Sequence, residues 1–351
     1  MITFYPGPSK LYPQVEGFLS DAFRSGLLSM NHRSKPFMEM LSQAISLLKE
    51  KLDVPDAYQV VFTSSATECW EIVAQSLTEG TSYHIFNGAF GSKWADYAHR
   101  IHGRSTRIAY GIEEQPQLVP AEYTERDVLC VTHTETSNGT VVSNQSLTRL
   151  REQFPGTIAI DATSSMAGTS LQWEQGDLWY ASVQKCFGLP SGLAVMILSP
   201  KAVQRAKELK EDAHYNSLGF VVGNFEKFQT PYTPNILGIY LVKRLMETLA
   251  PINSVSEELE KRAKSLYSYL ENAGFTPLIG ASGCRSSTVV TIQAPEEEVK
   301  ALKAYTAENG IVVGNGYGDW KETTFRIANF PAITESELTV LKTCISRFKN
   351  N

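Results

Sequence analysis

The chain has 351 residues, 42% hydrophobic and 20% charged, with a formal net charge of -5. That length exceeds one ordinary core and fits two unequal domains, and the balance excludes a disordered chain. No basic excess argues for a nucleic-acid partner, and no run of eighteen apolar residues argues for a membrane span. The start, Met1 to Pro8, lacks the charged head and apolar stretch of a signal peptide. The five cysteines are scattered, without metal-ligand spacing, so reduced thiols and a cytoplasmic location are expected. His99 and His102 stand three apart without a neighbouring cysteine or carboxylate cluster, and no metal site is expected.

In chain order, β-rich runs alternate with helical patterns. Strands are predicted at 59–63, 83–86, 106–110, 128–132, 157–161, 178–182 and 193–198. Amphipathic stretches at 67–77 and 92–102 lie between them. This alternation predicts an α/β fold, a mostly parallel seven-stranded sheet between helices. After Pro234 the pattern changes to two long helices, 236–249 and 255–273. Then come strand 288–292, helix 296–309, strands 311–313 and 324–328, and helix 335–348. The expected organisation is a large α/β domain, 15–245, and a smaller α+β domain made of 1–14 and 246–351.

The candidate chemistry gathers at strand ends, where ligands bind in open α/β sheets. The segment Ile158-Ala159-Ile160-Asp161 is an apolar strand ending in a carboxylate, and Leu178 to Lys185 is a strand running into a lysine. A lysine so placed can form a Schiff base with an aldehyde cofactor, and an aspartate can keep a pyridine nitrogen protonated. The same two residues are also compatible with a buried ion pair or with two exposed strand ends. Val60 to Glu68 reads as strand, small-residue turn and helix start, a setting whose free amides suit a phosphate. Ser65 and Glu68 also have the spacing of a capping box, and the two readings are compatible. Phe90, between Gly88 and Gly91, is either a core aromatic or a face for a flat ring. The hydroxyls of Thr134 to Ser137 follow another strand.

In order and spacing, Asp161-Ala162-Thr163-Ser164-Ser165, Ser182-Val183-Gln184-Lys185 and Gly192-Leu193-Ala194 resemble the class V pyridoxal-phosphate aminotransferases. Within that family, Asn31-His32-Arg33-Ser34-Lys35-Pro36-Phe37 resembles the phosphoserine branch, and Tyr5-Pro6-Gly7-Pro8 fits its opening segment. The resemblance runs from Tyr5 to about Phe348. It implies an aspartate-aminotransferase-like fold, pyridoxal phosphate as cofactor, small amino acids and oxo acids as substrates, and a homodimer with shared sites.

The resemblance also implies roles. Lys185 would carry the cofactor and shuttle the proton, and Asp161 would pair with the ring nitrogen. Phe90 would stack on the ring, with Gly91 as the alternative at that place. Thr136, Thr163 and Gln184 would bond its edge, and Ala66 and Thr67 its phosphate. Tyr232 and Thr233 would reach that phosphate from the neighbouring subunit. Arg33, with His32, would take the substrate's distal acidic group and Arg326 its α-carboxylate, since a guanidinium suits both.

Two departures bear on the substrate. Thr67 stands where family members often have an arginine, and Gly314 to Lys321 lacks the His-Arg pair often found there. The latter stretch is closer to the alanine–glyoxylate and serine–pyruvate branch. Lys321 is the candidate substitute, although a surface lysine is its simpler description. Cys284, in a Gly-rich segment, leaves a cysteine desulfurase as another reading of the same scaffold. A non-catalytic scaffold protein is a further alternative, opposed by the joint presence of Lys185, Asp161, Arg33 and Arg326.

Overall fold

The computed structural model describes residues 1–350. Its larger sheet orders seven strands as Gln59–Thr63, Ala194–Leu198, Leu178–Ser182, Thr157–Asp161, Val128–Thr132, Ser82–Phe86 and Ser105–Ala109. Ala194–Leu198 runs antiparallel to both its neighbours. The remaining strands all point the same way. The mostly parallel seven-stranded sheet of an α/β fold is therefore what the alternation forms. Four of its strands, Val128–Thr132, Thr157–Asp161, Leu178–Ser182 and Ala194–Leu198, are buried at every position. Helices cover both faces, which is why these strands read as continuous apolar runs instead of alternating ones.

Most strand ends fall within a residue of the sequence expectation, as is normal for element boundaries. Two helix starts differ by three residues, and the one expected from Val255 lies at Ile252. The helix expected from Ser92 begins at Ala89. Its first amides, those of Phe90 and Gly91, both donate to Glu135 Oε2 at 3.1 Å, and Ala89 N–H donates to Ser137 Oγ at 3.0 Å. This cap comes from a loop more than forty residues away in sequence, so no local pattern could reveal it. Gly88 is required at the junction, because a Cβ there would stand 2.3 Å from Glu135 Cγ.

A second sheet has five strands in the order Ile2–Phe4, Ile311–Asn315, Thr324–Ala328, Val289–Gln293 and Thr276–Pro277. Ile2–Phe4 pairs in parallel with residues 311–313, so the first residues of the chain complete a sheet built from its last hundred. Arg326 lies in the middle of this sheet, opposite Thr291 on one side and Gly314 on the other. Its Nη1 donates to Thr136 O at 2.6 Å, which ties the smaller sheet to the edge of the larger one.

The helix Lys35–Leu52 was not assigned from sequence. Ser34 accepts from Phe37 N–H at its start and Pro36 occupies its first turn, both favourable there. It packs on Ile236–Thr248 and sets His32 and Arg33 at a helix entrance. No helix of the described residues is long and apolar enough to cross a membrane.

Candidate active site

Six strands of the larger sheet share a direction, so their carboxyl ends meet along one edge. Asp161 ends one strand and is in register with Tyr180 of the next, and the chain runs on from Ser182 to Lys185. The Gln59–Thr63 strand leads to Ala66, and Ser82–Phe86 leads to Phe90. Together these ends line a cavity of about 250 Å³, closed by Tyr5 to Pro8, by Arg326 from the smaller sheet and by Tyr317 from the turn after its strand Ile311–Asn315. Lys185, Asp161, Thr136, Thr163, Gln184 and Phe90 are all in its wall, with Ala66 and Thr67.

Lys185 is 7% exposed, and its Nζ donates to Thr136 Oγ1 at 2.6 Å and Ser164 Oγ at 3.1 Å. Burial lowers its pKa to about 8, against the raising influence of Asp161 and Glu135. A lysine so placed can act as a base near neutral pH. Burial raises the pKa of Asp161, while Thr163 N–H, donating at 2.9 Å, and the charge of Lys185 hold it down. A buried carboxylate of this kind is suited to a cationic partner. Three buried oxygens in the cavity wall, Thr132 Oγ1, Thr163 Oγ1 and Gln184 Oε1, have no partner among the described residues. Orphaned buried oxygens call for a ligand or water to satisfy them.

At the helix start Ala66–Ser76, Ser65 Oγ accepts Glu68 N–H at 3.1 Å. The capping box forms only by half. Glu68 Oε2 instead accepts Ser64 N–H and Oγ–H, each at 2.6 Å, and Oε1 accepts the Tyr215 hydroxyl at 3.1 Å. These donors hold the carboxylate one residue short of the cap. Ala66 N–H donates to Ser182 Oγ at 2.9 Å, so the expected anion-binding turn is braced against the Lys185 strand. Thr67 is exposed at the cavity rim.

Arg326 is 4% exposed, and its Nε and Nη1 donate to the carbonyls of Asn315 and Thr136. No carboxylate lies within 4.0 Å of it among the described residues, so its charge is open to an anion in the cavity. Phe90, not Gly91, presents a side chain here, because Gly91 is packed against Phe86 and Thr132. Phe90 stacks on Tyr317 at 5.3 Å and 27°, and Lys185 Nζ stands 5.1 Å from its ring centroid. Sequence reasoning assigned no role to Tyr317, Ser164, Ser182 or Glu135. The two serines lay inside the quoted motifs, and Tyr317 lay in a stretch noticed only for what it lacked.

One chain does not bring His32, Arg33, Tyr232 or Thr233 to this cavity. Arg33 is exposed, and its Nη1 donates to Gln229 Oε1 at 2.6 Å, which joins the two segments to each other. Tyr232 lines a separate small recess with Gly192 and Asn235. Cys284 is buried in a short turn, in contact with Gln115 and with Glu114 O, and does not line the Lys185 cavity. Lys321 pairs with Glu322 at 3.4 Å and is likewise outside it.

Three comparisons bear on this geometry. The family model described as aminotransferase class-V matches residues 4–319. The chain is 28% identical over 345 residues to a phosphoserine aminotransferase of Rhodococcus opacus, covering 95% of this chain and 91% of the relative. It resembles the crystal structure of a phosphoserine aminotransferase from Cytophaga hutchinsonii, with 30% identity, a TM-score of 0.92, and 99% and 98% of the two chains covered. An alanine–glyoxylate aminotransferase from Nostoc shares the fold, with 19% identity, a TM-score of 0.83, and 99% and 94% of the two chains covered. A strand-end lysine beside a buried aspartate, within a match spanning nearly the whole chain, leads to one conclusion: this chain belongs to the class-V aminotransferases.

Proposed function

We propose that the chain is a pyridoxal-phosphate-dependent phosphoserine aminotransferase. It would convert 3-phosphohydroxypyruvate and glutamate to O-phosphoserine and 2-oxoglutarate in a ping-pong cycle. One observation carries the reading: Lys185, its pKa drawn to about 8, shares a cavity with the buried Asp161 and the unpaired Arg326. The phosphoserine substrate is supported by likeness to the Rhodococcus and Cytophaga proteins.

Pyridoxal phosphate, when bound, supplies a reactive aldehyde and a ring that withdraws electrons from the substrate's α-carbon. The residues present fit such a group. Lys185 supplies the amine, Asp161 the anion for a ring nitrogen, and the orphaned oxygens of Thr163 and Gln184 polar contacts at its edge. Phe90, in the cavity wall, would offer an aromatic face to the ring. Thr136 keeps the Lys185 amine oriented, and Ala66 and Thr67 open a helix whose dipole favours a phosphate. With its pKa near 8, the Lys185 amine would serve as the base that takes the proton from the substrate α-carbon and holds it for return. Arg326 takes the α-carboxylate.

His32, Arg33, Tyr232 and Thr233 act, on this reading, in the site of a second subunit. Their segments are exposed and linked by the Arg33–Gln229 bond, with Tyr215, 66% exposed, against Tyr232 and Phe228, 38% exposed, next to Gln229. A homodimer covers these aromatics and completes both sites. The cavity then lies between a domain of residues 15–245 and one of 1–14 with 246–351. The buried, unpaired cysteines suit the reducing cytoplasm.

A second reading has its own support. Thr67 and the 314–321 stretch lack the extra basic residues for a phosphate, which favours an alanine- or serine-type substrate. A half-reaction screen decides between them. Cofactor-loaded protein is mixed with O-phosphoserine, glutamate, alanine or serine, and the loss of its visible absorbance is followed. Phosphoserine and glutamate should react, and Lys185→Ala should lose essentially all turnover. Reaction with alanine or serine but not phosphoserine would establish the second reading.

A further inference from the structure

We propose that Lys93 binds the distal anionic group of the substrate, in the same protomer as Lys185. The assignment rests on the aminotransferase reading and narrows its substrates to amino acids and oxo acids with a second negative charge. Both a phosphate and a carboxylate meet that description.

Lys93 follows Phe90 by three residues on the helix Ala89–His102, so the two side chains share a face. Its Nζ lies 5.6 Å from the Phe90 centroid and 5.0 Å from the Tyr317 centroid, and donates to the Tyr317 hydroxyl at 2.5 Å. Phe90 and Tyr317 both line the cavity. The Arg326 guanidinium carbon lies 5.6 Å from the same Tyr317 centroid, and Lys185 Nζ is 5.1 Å from that of Phe90. Three cations are therefore arranged around one stacked pair of rings. Each has its place along a substrate: Lys185 at the reacting carbon, Arg326 at the α-carboxylate and Lys93 at the far end.

The distances to a common ring bound the separation of Lys93 from Arg326. A diacid of three or four bonds, with an ion pair at each end, can span it. Neither cation has a carboxylate within 4.0 Å among the described residues. Ring faces and a neutral hydroxyl stabilise an ammonium without cancelling its charge. Lys321, the cation that the sequence offers for this duty, is paired with Glu322, whereas Lys93, itself exposed and not among the lining residues, reaches the cavity wall through Tyr317. Lys93 supplies what Thr67 and the 314–321 stretch lack, an unpaired positive charge against two side chains of the cavity wall.

The test uses cofactor-loaded Lys93→Met and Lys93→Arg in stopped-flow half-reactions with O-phosphoserine, glutamate and alanine. In Lys93→Met the half-saturating concentrations of phosphoserine and glutamate should rise about tenfold, with limiting rates within about twofold. Alanine, which has no distal charge, should shift by less than about twofold, and Lys93→Arg should recover most of the loss. An equal shift for all three substrates would mean that Lys93 only holds the rings, and the assignment fails. If the wild type ignores phosphoserine, the phosphoserine reading falls separately. Glutamate then decides, and an unchanged half-saturation in Lys93→Met overturns the assignment.

Discussion

Gly7 has φ +138°, and a Cβ built there would come within 3.0 Å of Lys185 Cε. The opening segment thus closes over the lysine at a position where any side chain would be both strained and crowded. Lys185 is there at a cost. Its pKa is about 8 in the folded chain against 10.5 for a free lysine, so the folded state binds the proton more weakly than the unfolded one. Between those values the unfolded chain carries more protons, and stability must rise with pH across that window. Below pH 8 both states are protonated, and the burial penalty is felt in full. In cofactor-free protein, Lys185→Met should remove this rise and raise stability at pH 7 by about 1–3 kcal/mol. Urea midpoints measured from pH 7 to 11 check it, and a parallel pH dependence in mutant and wild type would show that Lys185 does not titrate there.

The helix Ala89–His102 depends on Glu135 in the same way that Phe90 and Lys93 depend on the helix. Glu135 Oε1 accepts Ser137 N–H at 2.9 Å and Oγ–H at 2.6 Å, and Oε2 accepts two helix amides. Every group facing the carboxylate is therefore a donor. Glu135→Gln places an NH₂ against one pair of donors and removes the negative charge from a helix N-terminus. A loss of about 1–3 kcal/mol in chemical denaturation is expected, together with weaker cofactor retention as Phe90 loses its anchor. Unchanged stability and unchanged retention would remove Glu135 from this role. The element also shows where sequence reading stops. The buried central strands were legible because both faces are covered and their residues are apolar except at the ends. The helix start was not, since its cap is donated by a distant loop. Glu68 teaches the same lesson in reverse: its spacing from Ser65 was that of a capping box, and Ser64 and Tyr215 drew the carboxylate elsewhere.

At the scale of the molecule, the expected shared site predicts complementation between subunits. A chain carrying Lys185→Ala has no base but keeps Arg33, whereas one carrying Arg33→Ala keeps Lys185. If Arg33 serves the neighbouring site, unfolding and refolding a mixture should yield heterodimers with one complete site. Activity with phosphoserine should then recover to about a quarter of wild type at equal mixing, by random pairing. Activity no greater than that of the Arg33→Ala protein alone would place Arg33 outside the partner's site. The need for such a test reflects how the chain is built. Asp161, Thr136, Phe90 and Lys185 are joined by one sheet edge within a single chain, but Arg33 and Thr233 do not line the same cavity.

The sequence by itself determined the alternation of strands and helices, and with it the edge to which Asp161 and Lys185 were carried. Apolar runs of strand length, each ending in a chemically useful residue, leave few other arrangements once parallel strands are covered on both faces. The motifs around these residues also made the family recognisable. Only the tertiary structure decided which charges remain unpaired. Lys321 and Lys93 are both lysines near aromatic residues in the sequence, yet one meets Glu322 and the other stands over the rings of the cavity. The Lys321 pair is local, but the place of Lys93 is set by the approach of Tyr317 from a segment far along the chain, and no local pattern records that approach.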